Sequence, residues 1–74
     1  MGNVCQVECY AGHKADERPI RFHLGGHAYE VREVQDQWYD PAATYFKVKA
    51  DDGNLYILRH SPEDAWTLEA FRRG

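Results

Sequence analysis

The chain has 74 residues, a net charge of −3 at neutral pH, 43% hydrophobic and 28% charged residues. This composition is that of a globular domain, not a disordered chain. The length leaves room for one core, and no apolar run approaches the roughly 18 residues of a membrane span. The acidic balance disfavours duplex nucleic acid, whose affinity comes from Lys and Arg on phosphates. Residues 1–40 carry four basic and seven acidic side chains and residues 41–74 five of each, so any basic surface comes from the second half.

Met1-Gly2-Asn3-Val4-Cys5 lacks the basic start and apolar block of a signal peptide, and Gln6 occupies the position where a myristoylation motif carries Ser or Thr. The expectation is a cytoplasmic protein. Residues 4–10 alternate as a strand with Cys5, Val7 and Cys9 on one face. Four residues of strand hold the two cysteine Cα atoms roughly 13 Å apart, beyond the reach of a disulfide. Both thiols are then small hydrophobes facing the core. Residues 11–18 are polar and read as a loop.

Pro19 leads into a strand in which Ile20, Phe22 and Leu24 alternate with Arg21 and His23. Gly25-Gly26 is a two-residue hairpin turn in which both positions take positive φ. That turn pairs Leu24 with His27, His23 with Ala28, Phe22 with Tyr29, Arg21 with Glu30 and Ile20 with Val31. Ile20, Phe22, Leu24, Tyr29 and Val31 then share the core face, and Arg21 meets Glu30 outside. After Val31 the alternation breaks. Val34 and Trp38 fit either one helical turn or a strand bent at a bulge, and the bulged strand is preferred, ending at Asp40-Pro41.

A second hairpin follows, with strands over 44–50 and 55–60 about Asp51-Asp52-Gly53-Asn54. Its turn is ambiguous. Asp52-Gly53 suits a two-residue type I′ turn, and Asp51-Asp52-Gly53 suits a three-residue turn ending in a glycine bulge. The two exchange the faces of one strand. Pairing Ala50 with Leu55 is preferred, because it gathers Phe46, Val48, Ala50, Leu55 and Ile57 on one apolar face. Ser61-Pro62-Glu63-Asp64 is a loop or a helix start, and residues 65–71 form the last strand. Six strands with short connections predict an all-β domain, a small antiparallel barrel or curled sheet of SH3-like or OB-like type, spanning residues 1–74.

The strings Glu17-Arg18-Pro19-Ile20-Arg21-Phe22, Tyr29-Glu30-Val31 with Trp38, Tyr45-Phe46-Lys47-Val48, Asp51-Asp52-Gly53-Asn54-Leu55-Tyr56-Ile57-Leu58-Arg59-His60 and Trp66-x-Leu68 resemble a group of short bacterial proteins of unknown function. The likeness runs over nearly the whole chain and rests on aromatic and turn residues. It therefore implies a fold and a bacterial, cytosolic setting, and assigns no catalytic or binding residue.

For chemistry, Cys5, Cys9, His13, His23, His27 and His60 are the metal-ligand types, but their spacing assembles no tetrahedral set. No cofactor or metal is expected. The one serine, Ser61, stands in a proline turn, and Asp51-Asp52 and Glu63-Asp64 are turn carboxylates. An enzyme is the less favoured class, and a binding module the leading one. The outer face of the second hairpin then carries Tyr45, Lys47, Lys49, Tyr56 and His60 as binding residues, with Leu58 among them. Its cross-strand pairs are Lys49 with Tyr56, Lys47 with Leu58 and Tyr45 with His60. The partner is a protein or peptide, self-association included. The alternative is single-stranded nucleic acid stacked on aromatic rings.

Overall fold

The structure, a computed structural model, describes residues 3–9, 18–63 and 65–74. The expectations at Met1 and Gly2, at Tyr10, across 11–17 with His13, and at Asp64 lie outside the described residues. Alternating apolar and polar residues form six strands: β1 (Asn3–Cys9), β2 (Pro19–Leu24), β3 (His27–Asp40), β4 (Ala43–Ala50), β5 (Leu55–His60) and β6 (Trp66–Arg72). Each strand pairs antiparallel with the next, and β6 returns to β1, so the sheet closes into a barrel. Apart from the closing β6–β1 pair, neighbours in space are neighbours in sequence, giving a meander without the Greek-key exchange of an OB barrel. No helix among the described residues is long and apolar enough to cross a membrane.

The first hairpin has the register that its glycine turn dictates, from Leu24 opposite His27 to Arg21 opposite Glu30. Gly25 and Gly26 have φ of 54° and 80°, as a type I′ turn demands. Arg21 Nε donates to Glu30 Oε2 at 2.7 Å, and its Nη1 donates to Glu8 Oε1 at 3.0 Å. A charge ladder thus crosses three strands on the outer face. Glu8 also accepts from His23 Nε2 at 3.0 Å, and that bond, with Arg21, holds its carboxyl below the usual value.

Ile20 departs from expectation. Cys9 pairs with Pro19 while Glu8 pairs with Arg21, so Ile20 is the extra residue of a bulge. The bulge reverses the alternation there: Pro19 becomes fully buried, and Ile20 turns outward, 44% exposed.

A straight strand the length of β3, 14 residues, would run about 46 Å. The molecule's longest dimension is 30 Å, so the strand must bend. It does so at two irregularities, between Val31 and Glu33 and between Val34 and Asp36. The first part of β3 pairs with β2, and the part from Val31 onward pairs with β4. This is the bulged strand read from the sequence. Beyond β5, Ser61 N donates to the Ala65 carbonyl at 2.9 Å, and Ala65 N donates to Ser61 Oγ at 3.2 Å.

The core is built on Phe22, Val48 and Leu58, with Cys5, Phe46, Ala50, Tyr56 and Trp66 beside them. Half-buried Val7, Cys9, Leu24, Tyr29, Val31, Val34 and Leu68 pack round its edge. Cys5 and Cys9 are both thiols. Burial pushes Cys5 up to about 11, so the folded state favours its protonated form. Ionising the thiol costs more in the fold than in the unfolded chain, so this group leaves stability unchanged below the ordinary value of 9.0 and lowers it as pH rises from there toward about 11.

Two outcomes follow for stability and reactivity. Phe22 has no exposed surface, so Phe22→Ala should cost about 3–5 kcal/mol in urea denaturation. A cost below about 1 kcal/mol would place Phe22 outside the core. At pH 8, iodoacetamide should modify Cys5 rapidly in urea and slowly in the folded protein, read by mass spectrometry of the labelled peptide.

Candidate functional site

The second hairpin takes the three-residue turn. Gly53 N donates to the Ala50 carbonyl at 2.9 Å, Ala50 N donates to the Asn54 carbonyl at 3.0 Å, and Gly53 has φ of 85°. Lys49 therefore faces Leu55, Lys47 faces Ile57, Tyr45 faces Arg59 and Thr44 faces His60. The expected pairing of Ala50 with Leu55 is off by one residue, and β5 shows its other face to the core.

Tyr56 gives the physical reason. Its ring is 4% exposed and touches Phe22 at 4.9 Å, Tyr29 at 5.4 Å and Phe71 at 5.1 Å between centroids. Its hydroxyl donates to Asp52 Oδ2 at 2.6 Å. Burial and that bond raise the Tyr56 phenol well above its ordinary value. Asp52 is pushed up by partial desolvation, but the bonds from Tyr56 and Asn54 more than offset this and leave it below 3.8. Tyr56 and Leu58 thus belong to the interior and leave the expected binding face. His60 also turns inward, half-buried and stacked on Trp66 at 4.2 Å.

Three of the five expected residues stay together outside: Tyr45, Lys47 and Lys49. Pairing through β3, β4, β5 and β6 sets them in three rows. Trp38, Tyr45, Arg59 and Thr67 form the first, which continues to Val4 on β1. Asp36, Lys47, Ile57 and Ala70 form the second, and Glu33, Lys49, Leu55 and Arg72 the third. Trp38 and Tyr45 stack with centroids 5.5 Å apart and planes 5° apart. The face carries four cations and two carboxylates on a protein whose net charge is negative. None of the four cations makes an ion pair within 4.0 Å among the described residues.

Trp38, Leu55, Ile57, Arg59 and Arg72 were not foreseen on this surface. The available signal for Trp38 was the Asp40-Pro41 turn. Asp40 Oδ1 accepts from Ala42 N and Ala43 N, both at 2.8 Å, which makes a two-residue connection and sets Trp38 opposite Tyr45. These backbone bonds also lower the Asp40 carboxyl, with smaller help from Tyr45 and Arg59. An open groove of about 310 Å³ lies over Ile57 and Leu55, between Asp36, Trp38 and Lys47 on one side and Ala70, Phe71 and Arg72 on the other. No group of three or more metal-ligating side chains occurs among the described residues. Comparison with family models, curated proteins and solved structures finds no match to this chain.

Tyr56→Phe removes the bond to a charged acceptor and should cost about 1.5–3 kcal/mol at pH 7. Asp52, lowered in the fold, contributes stability that is present above 3.8 and lost as pH falls through its folded value. The gap between wild type and Tyr56→Phe in urea denaturation should therefore shrink from pH 7 to pH 2. A gap constant with pH would mean that Asp52 does not hold the phenol.

Proposed function

We propose that the protein is a small non-catalytic interaction module of a bacterial cytosol, and that it binds a protein or peptide on the outer face of β3–β6. One observation carries this reading: four cations without ion pairs among the described residues share a face with the Trp38–Tyr45 stack and the half-buried Leu55 and Ile57. Aromatic, arginine and aliphatic groups in one patch are the composition that contact surfaces favour. The alternative explanation, lysine and arginine stems merely covering a sheet, accounts for the exposed Lys49. It does not account for Arg72, Lys47 and Trp38 converging on one groove. The bacterial, cytosolic setting is supported by the resemblance of the aromatic and turn residues.

Immobilised wild-type protein and a Lys47→Glu, Arg59→Glu variant of matching melting temperature should be compared as baits in a bacterial lysate. The reading expects at least one protein retained by wild type and lost by the variant. Identical retention by the two baits would overturn it.

A further inference from the structure

We propose that the partner is an extended acidic peptide that sets two carboxylates on Arg59 and Arg72 and one apolar side chain between them, over Ile57. This deepens the interaction reading and rests on it. Arg59 and Leu55 are four residues apart on β5, and Arg72 stands beside Leu55 on β6. Arg59 has Tyr45 and Thr67 as its cross-strand neighbours, and Arg72 has Leu55. Neither arginine makes an ion pair within 4.0 Å among the described residues, although the field of Arg59 reaches Asp40. Four strand residues span about 13 Å, and so do four residues of an extended peptide laid along β5. Side chains at i, i+2 and i+4 of that peptide point the same way. An acidic residue at i on Arg59 and another at i+4 on Arg72 thus bring residue i+2 over Ile57 and Ala70.

The groove there has Leu55, Ile57 and Ala70 in its floor and Asp36 beside Lys47 in its wall, and its volume of about 310 Å³ is at the lower limit of small-molecule sites and suited to one apolar side chain of a peptide whose carboxylates lie away from Asp36. Arginine meets carboxylate through two parallel hydrogen bonds, which fixes the register of such a peptide. The same face disfavours single-stranded nucleic acid. Asp36 and Glu33 stand beside Lys47 and Lys49 and would repel a chain charged at every unit, while a peptide can space its carboxylates away from them. The Trp38 ring is stacked on Tyr45, and the Phe71 ring packs against Tyr56. Each is partly exposed and offers a base less than a free ring would.

Fluorescence polarisation with labelled Ser-Asp-Thr-Leu-Thr-Asp-Ser tests this directly. A permuted peptide, Ser-Asp-Leu-Thr-Asp-Thr-Ser, has the same composition with its acids on opposite sides. The first peptide should bind below about 1 mM. The permuted peptide, and the Arg72→Gln and Ile57→Ser variants with the first peptide, should each bind about tenfold more weakly. Affinity should fall as salt rises from about 0.1 to 1 M, where the screening length drops from about 10 to 3 Å. Melting temperatures close to wild type establish that the variants fold. Equal affinity for the two peptides, or no loss in Arg72→Gln, would overturn the proposal. Tighter binding of a ten-residue oligothymidylate would assign the face to nucleic acid. If the lysate experiment finds a partner sensitive to the surface variant while the first peptide fails to bind below 1 mM, the interaction reading stands and the acidic peptide falls.

Discussion

The rest of the barrel depends on where one phenol goes. A six-strand barrel of 74 residues has a small interior, and Phe22, Tyr29 and Tyr56 pack together at one end of it from three different strands, with the half-exposed Phe71 against Tyr56. A tyrosine inside needs a partner for its hydroxyl. Asp52 supplies that partner from the turn preceding the same strand, and the three-residue turn is the one that allows it. Register, core and outer face are then settled together. With Tyr56 inside, Leu58 is inside, and Leu55, Ile57 and Arg59 are outside.

Bulges do the remaining work of fitting strands to a small closed shape. Each extra residue bends a strand and exchanges the faces beyond it. On β2 this trades Ile20 for Pro19 in the core. On β3 it lets one long strand serve both β2 and β4. Between Ile57 and Leu58 the β5–β6 pairing jumps from Ala70 to Leu68, which sets Arg72 beside Leu55 on the outer surface. The cationic rows therefore owe their alignment to backbone irregularities as much as to alternation along any one strand.

This explains which parts were legible in the sequence. The first hairpin was, because Gly25-Gly26 admits one turn and one register. The closed all-β barrel was, because short connections leave little else for six alternating segments. The second hairpin was not. Its two turns differ by one residue, and both resulting faces are apolar: Leu55 with Ile57, or Tyr56 with Leu58. Counting aliphatic residues favoured the first pair, and the hydroxyl bond to Asp52, invisible in a hydrophobic pattern, favours the second. Tyr45, Lys47 and Lys49 kept their place because they lie on β4, where no bulge interrupts the alternation. Tyr56 and His60 lost theirs with the register of β5. Arg72 was hidden behind a bulge that no periodicity reveals, and Trp38 was legible only from the register of the Asp40-Pro41 turn.

The seam where the barrel closes has a consequence for how the chain assembles and comes apart. Five of the six strand pairings join neighbours along the chain, while the sixth brings Asn3 to Leu68, Val4 to Thr67 and Cys5 to Trp66. Local hairpins form at small cost in chain freedom, whereas this seam must gather segments from opposite ends of the sequence, and it joins them through three residue pairs among the described residues. It is the last joint to zip and the first to part. When it parts, β1 and β6 become bare edges with the exposed Val4 between them, and the same contacts that complete one barrel become available to a second.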